Sequence, residues 1–397
     1  MLQPMQMLSP AQELPNLILE RIIEHAMLIS NGVHSQYMAK SIISVCRWWR
    51  MAAFCVLHRR VSWCNLKQKQ PRRCPVCSAE RPSLLHYALR NGNGDKIKKV
   101  TMHWYSEDLL SGDALKVLQT EPYSNLVIPS VVEIELRISY TRTLPSSLRK
   151  QLHTSASGFG NEIHRIFPNA TGFTLGNIHI MSKHGTSTFM KTLFTSLAAG
   201  MVDVLNNSEY NGIGFSLPLD HCPLRKLVLG NMTIKSSTIQ VVRRSAETLE
   251  ELVTECTQPE ACMMLVQDDA GQPIAYPRLT YLKIKSEFGV RIQANDTRGA
   301  PDGSPFPALR TLVCSKAYPF RNDVMFRGNE GTLEVLKIAM DVTALVVLAR
   351  SGVLDGRNRL ALKHVWVYRC MYLTYPNDEE MEDARARLSQ SAVVAIV

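Results

Sequence analysis

Cys74-Pro75-Val76-Cys77 places two thiols two residues apart, a spacing at which both thiolates reach a single zinc ion. Cys64 upstream and His86 downstream would complete a tetrahedral set, and the polar, proline-bearing stretch between Trp63 and Leu85 would profit from such a staple. The stronger signature needs a second Cys-x-x-Cys pair at matched spacing, which the chain lacks. The reading is therefore no bound metal, with unliganded cysteines and with Cys64, Cys74, Cys77 and His86 as the one set worth testing. Asp378, Glu379, Glu380, Glu382 and Asp383 precede Arg385 and Arg387, the charge order that complements a helix dipole rather than a catalytic carboxylate pair. The sequence holds no Gly-x-x-x-x-Gly-Lys-Ser/Thr loop, no His-Glu-x-x-His and no Gly-x-Ser-x-Gly, and Asn91-Gly92-Asn93-Gly94 reads as a turn. Neither catalysis nor a cofactor is expected.

Charge points to partners instead. The net charge is +10, and no Asp or Glu falls between His25 and Ala79, where Lys40, Arg47, Arg50, Arg59, Arg60, Lys67, Lys69, Arg72 and Arg73 lie. Such a block calls for an acidic neighbour, protein or nucleic acid, or else forms a solvated face. No apolar run approaches the roughly 18 residues of a membrane span, and the start, MLQPMQMLSP, lacks the basic and apolar regions of a secretory leader. Ten scattered cysteines lack the density of a disulfide scaffold, so a reducing compartment, cytoplasm or nucleus, is expected.

The elements that position these residues follow from a repeat. An apolar-x-x-apolar-x-apolar pattern recurs at Ile97-Val100-Met102, Val131-Ile134-Leu136, Ala170-Phe173-Leu175, Leu224-Leu227-Leu229, Leu249-Leu252, Leu279-Leu282-Ile284, Leu309-Leu312-Cys314, Leu333-Leu336-Ile338 and Leu362-Val365-Val367. Several copies follow an apolar-Pro pair, as in Phe167-Pro168, Cys222-Pro223, Tyr276-Pro277 and Phe306-Pro307. Proline donates nothing to a strand ladder and suits the position ahead of a strand. A short strand cannot bury its own face, whereas stacked copies make a continuous core. Thr186 to Leu205, Ser236 to Ala246 and Asp341 to Arg350 read as helices between strands. The pattern resembles the leucine-rich-repeat family, with insertions at the intervals of 39 and 54 residues; Asn231 comes nearest to that family's closing asparagine. An ordinary α/β domain is the alternative.

In such strands the residues between core positions face the open side of the sheet. The copies offer Lys99, Thr101 and His103; Glu133, Glu135 and Arg137; Glu251, Val253 and Glu255; Tyr281, Lys283 and Lys285; and His364, Trp366 and Tyr368. The last two sets are the candidate substrate-binding residues. Trp366 and Tyr368 read either as interface anchors or as side chains covered by a helix after Asn377.

The front of the chain is helical. Leu14-Pro15 opens a segment in which Ile18, Leu19, Ile22, Ile23, Ala26 and Met27 sweep about half the helix circumference, more than the roughly 100° that one core-facing helix needs. A second helix runs from Met38 to Phe54 and is followed by Leu57 and Trp63. Leu14-Pro15, Ile18-Leu19-x-x-Ile22 and Val45-Cys46-Arg47-Trp48-Trp49 with Ala52-Ala53 resemble an F-box, departing from it at Asn16 and in the longer connection from Ile29 to Tyr37. That resemblance implies docking to a Skp-type adaptor and its cullin complex through Leu14, Pro15, Ile18, Leu19, Ile22, Val45, Cys46 and Trp49.

The expected class is α/β: an F-box-like helical module over 10–65, a basic, cysteine-containing connector over 66–95, and an irregular leucine-rich-repeat solenoid with a parallel strand ribbon over 96–397. The implied role is substrate recognition for a cullin–RING (SCF-type) ubiquitin ligase, acting on an unknown substrate protein. A nucleic-acid binder built on residues 38–90 with a zinc knuckle is the alternative, disfavoured because the block has few aromatics beyond Trp48, Trp49 and Trp63. A scaffold that never enters a ligase is the third.

Overall fold

In the repeat, the second and third apolar residues are two apart and so share one face of an extended strand. In the computed structural model the described residues are 15, 18–23, 41–42, 44–64, 84–139, 152–178, 186–206, 214–256, 264–265, 267–270, 272, 274–286, 305–315, 329, 331–340, 361–369, 382, 386 and 393–396. The strands are β1 (Arg60–Cys64), β2 (Lys99–Tyr105), β3 (Glu133–Ser139), β4 (Gly172–Ile178), β5 (Asp203–Asn206), β6 (Gly214–Phe215) and β7 (Lys226–Ile234). They continue as β8 (Glu251–Cys256), β9 (Tyr281–Ser286), β10 (Thr311–Ser315), β11 (Val335–Met340), β12 (His364–Arg369) and β13 (Val393–Ile396). The helices used below are α1 (Arg47–Arg59), α2 (Leu84–Arg90), α3 (Ser106–Ser111), α4 (Asp113–Leu118), α5 (Leu152–Ile166), α6 (Thr186–Ala198) and α7 (Ser236–Arg244).

Among the described residues the chain is mixed α/β, built on one 13-stranded sheet. Its strands follow one another in chain order, with β6 off the path against β7, and every pairing is parallel. One register row runs Val61, Val100, Ile134, Phe173, Val204, Leu227 and on through Leu252, Leu282, Leu312, Leu336 and Val365. None of these exceeds 2% exposure, and they line one continuous core. Phe159 and Ile163 of α5, Phe194 and Leu197 of α6, and Ile239 and Val242 of α7 close it from the helical side.

Backbone geometry repeats as strictly as the side chains. Just ahead of β2–β5 and β7–β12 an amide donates to the carbonyl of the preceding unit, as in Lys98 to Arg59 (2.9 Å), Arg225 to Val202 (2.9 Å), Thr280 to Glu250 (3.0 Å) and Lys363 to Glu334 (2.8 Å). Pro168, Pro277 and Pro307 start tight turns at this same place. Ala170 donates to Phe167 (3.1 Å), Leu279 to Tyr276 (3.2 Å) and Leu309 to Phe306 (3.2 Å), so proline occupies the second turn position, where its fixed φ fits and its missing N–H is not needed.

The sheet holds more strands than the nine pattern copies. His58-x-x-Val61-x-Trp63 supplies β1, and Met201-x-x-Val204-x-Asn206 supplies β5, each with a polar residue in an apolar place. The interval of 54 residues from Ala170 to Leu224 is therefore two steps, of 31 and 23. β13 adds a further edge strand beside β12. The expected helix from Thr186 to Leu205 is likewise divided: α6 stops at Ala198, Gly200 takes a left-handed φ of 73°, and the chain turns into β5. The expected Met38–Phe54 helix is interrupted at Cys46, whose extended backbone (φ −161°, ψ 174°) caps α1, and α1 runs on to Arg59. Residues Asp341–Arg350, read as a helix, lie outside the described residues.

β1 falls within 10–65 and α2 within 66–95, and Val61, Trp63, Leu85 and Ala88 all belong to the sheet's core. The front helices have a small core of their own, formed by Leu19, Ile23, Ile42, Ala52, Ala53 and Val56 with Trp49 against it. Among the described residues, no helix is long and apolar enough to cross a membrane.

Candidate docking surfaces

The first surface starts from Pro15. Its carbonyl accepts hydrogen bonds from the amides of Ile18 (2.9 Å) and Leu19 (3.1 Å), which sets the helical course of residues 18–23. Side chains four apart then share a face. Leu19 and Ile23 are fully buried, while Ile18 and Ile22, about 100° away, stay 45% and 43% exposed. α1 divides in the same manner. Ala52, Ala53 and Val56 are sealed in the small core, whereas Trp48 and Met51 are 46% and 53% exposed and Val45, just ahead of the helix, 58%. The side chains of Glu20 and Arg59 form an ion pair that fastens the two helical segments together.

The residues carried over from the F-box pattern thus divide. Pro15, Ile18, Ile22 and Val45 are exposed, Cys46 and Trp49 are half-buried, and Leu19 is enclosed. Leu14 lies outside the described residues. Trp48 and Met51 were not singled out as contact residues from sequence; their three-residue spacing on the side of α1 away from Ala52 was the available signal.

At the end of α1 the chain passes directly into the sheet. The His58 ring stacks on Tyr87 (centroids 6.3 Å apart), and its Nε2 lies 3.4 Å from Asn93 Nδ2. Burial, assisted by Lys96, lowers its pKa. His86, proposed as a zinc ligand, sits on α2 with Nε2 2.6 Å from the Tyr123 hydroxyl. Burial and the charge of Arg90 lower the His86 pKa, and burial raises that of Tyr123. Cys74, Cys77 and the side chain of Cys64 lie outside the described residues. Among the described residues no three His, Cys, Asp or Glu side chains cluster as metal ligands would.

The second surface is the open face of the sheet, opposite the helices that close the core. In its first half the charges are paired. Lys99 lies 3.2 Å from Glu133 and 3.5 Å from Glu135, and Arg137 Nε donates to Glu135 at 2.6 Å. Thr101 adds a hydrogen bond to Glu135 at 3.3 Å. Burial by itself would raise the Glu135 carboxyl, but the hydrogen bond and charge of Arg137, with Lys99, outweigh it and hold the pKa below the usual carboxylate range. Asp203 bonds Arg225, and Lys226 reaches Glu251 at 3.7 Å. His103 and Glu255, expected on this face, are 4% and 6% exposed.

The second half differs. Register aligns Glu251, Tyr281, Thr311, Val335 and His364 in one row, and Val253, Lys283, Val313, Lys337 and Trp366 in the next. Burial, with Glu251 alongside, raises the Tyr281 phenol. Lys337 Nζ lies 5.8 Å from the centre of the Trp366 ring, within cation–π reach, and Trp366 is 37% exposed. Lys285 pairs in register with Ser315 and Tyr368 with Ala339, and the side chains of Lys285 and Tyr368 lie outside the described set.

A buried asparagine escaped the sequence reading. Asn206 stands in the third apolar place of the β5 unit, 2% exposed, and its Nδ2 donates to the Leu229 carbonyl at 3.0 Å, where the β7–β8 register shifts. The third place of the motif, where Asn206 stands, was where to look. No protein-family model matches the chain, and no curated protein matches it.

Proposed function

We propose that this chain is a non-catalytic adaptor: an F-box-like helical module joined to an irregular leucine-rich-repeat solenoid. In this reading it serves as the substrate-recognition subunit of a cullin–RING (SCF-type) ubiquitin ligase, in the cytoplasm or nucleus. The module docks a Skp-type adaptor, the open face of the sheet holds a substrate protein, and partner subunits carry out ubiquitin transfer. No cofactor is required.

The observation that carries the proposal is the division of the front helices into two apolar faces. Leu19, Ile23, Ala52, Ala53 and Val56 suffice for a small core, yet Ile18, Ile22, Val45, Trp48 and Met51 remain outside it. Large apolar side chains concentrated on one small module mark an interaction site rather than ordinary surface. The exposed basic residues Arg47 and Arg50 on α1 suit an acidic partner. The repeat assignment is supported by the chain-order parallel strands and by the turns that recur ahead of β4, β9 and β10.

Co-purification of the full chain with a recombinant Skp-type adaptor tests the proposal. Wild type is expected to retain the adaptor. Leu14→Ala/Pro15→Ala and Ile18→Asp/Ile22→Asp are expected to lose it by at least about tenfold, since burying one such side chain is worth about 1.5–3 kcal/mol. Failure of the folded wild type to retain any adaptor would leave only the ligase-independent scaffold.

A further inference from the structure

We infer that the second half of the open sheet face, centred on Lys283, Lys337 and Trp366, binds an acidic, extended segment of a partner protein. The inference rests on the reading of that face as the substrate-holding surface, and it names what the surface selects. Charge is the first ground. On β2–β8 the open-face lysines and arginines are matched by carboxylates: Lys99 by Glu133 and Glu135, Arg137 by Glu135, Lys226 by Glu251. On β9–β12 the corresponding rows hold Tyr281, Lys283, Thr311, Val313, Val335, Lys337, His364 and Trp366 without a single Asp or Glu. Lys283 and Lys337 form no ion pair with any described residue. Two ammonium groups are thus held in register on the sheet with no counter-charge supplied by the described residues.

Spacing is the second ground. Lys283 and Lys337 stand on β9 and β11, with Val313 of β10 between them in register. Neighbouring strands are about 4.8 Å apart, so these two positions lie about 10 Å apart across the sheet. A chain in the polyproline II form brings every third residue to the same side at about 9.3 Å. Acidic residues three apart in such a segment, laid across the strands, would meet both lysines, with Val313 beneath the intervening residues. Trp366, one strand beyond Lys337 and within cation–π reach of its ammonium, is 37% exposed and adds aromatic surface for the next side chain, as interface anchors do. A single-stranded nucleic acid fits less well, because it calls for several stacking aromatics along a basic groove, and this row offers a valine between two lysines.

The test uses the full chain and a short proline-rich peptide with glutamate at every third position, followed by calorimetry or by fluorescence of a labelled peptide. The wild type is expected to bind it, and to bind a glutamine-substituted counterpart at least about tenfold more weakly. Lys283→Glu/Lys337→Glu should abolish binding and Lys283→Gln/Lys337→Gln should weaken it about tenfold or more, with unchanged circular dichroism. Lys116→Glu, on exposed α4, should leave binding as it was. Equal binding by wild type and the double Gln variant, absence of wild-type binding, or tighter binding of a mixed-sequence single-stranded oligonucleotide at the same site would each overturn the inference. Adaptor retention is measured on the same preparations. If it persists while the peptide fails, only this inference falls; if peptide binding persists without the adaptor, only the ligase assignment does.

Discussion

A buried carboxylate that stays charged has to be compensated on every side, and Glu135 meets that demand through Arg137, Lys99 and Thr101. Its pKa is held low in the fold. Such a group adds stability that is complete above its unfolded pKa, about 4.3, and is lost as pH falls through the folded value. Glu135→Gln is therefore expected to flatten the acid limb of stability, seen as a smaller drop in the urea midpoint between about pH 6 and about pH 3 than in wild type. An identical drop would mean the network contributes nothing. Asn206 poses the neutral version of the same problem. Asn206→Ala leaves the Leu229 carbonyl without its donor in a buried site, at a cost of about 1–3 kcal/mol by chemical denaturation. Neither residue could be weighed from sequence, because apart from Arg137 on the same strand their partners lie 23 to 36 positions away on other strands.

At the scale of elements, α5 and α6 cross where side chains are smallest. A Cβ on Gly160 would come within 2.7 Å of Ser196 Cβ and 3.2 Å of its backbone carbon, so the helices could not keep their distance. Gly160→Val is expected to lose about 1–3 kcal/mol through overpacking. Gly331, which has open space around its Cβ position, should tolerate alanine with at most a slight change. Thermal unfolding of the two variants separates crossing geometry from a general intolerance of glycine replacement. The strands β2–β4 and β7–β12 were legible as apolar triplets. β1 and β5 were not, since His58 and Asn206 replace an apolar residue and each is satisfied by contacts invisible in the linear pattern. In α1 the buried and exposed stripes could be drawn from helical periodicity, but which stripe faced the small core depended on Leu19 and Ile23, more than twenty residues earlier.

The described sheet is a one-dimensional stack, in which the strands pair in chain order except at β6, which lies off the path so that β5 pairs with β7. Stability in such arrays is a sum of local units and their interfaces. Leu336→Ala, at a site of zero exposure on β11, is expected to remove about 2–5 kcal/mol. The loss should fall on amide-exchange protection of β10–β12 and leave β2–β4 almost unchanged. A uniform loss along all strands would show a single cooperative unit instead. The same linearity matters for docking, because the helical front and the basic half of the open face are at opposite ends of the strand order. On the proposed reading, the adaptor and the substrate segment would therefore use different residues.

The sequence by itself determined the unit: a short strand whose second and third apolar positions enter a shared core, preceded by a turn that accepts proline. Period-two side-chain alternation and proline's fixed φ are local properties, so they are written in consecutive residues. It also determined that the front helices carry more apolar surface than one face can use. Only the tertiary structure decided which of those side chains are sealed, which carboxylates are compensated, and where Lys283, Lys337 and Trp366 come into line. Those outcomes depend on strand register, and register joins residues some thirty positions apart through hydrogen bonds that no single segment encodes.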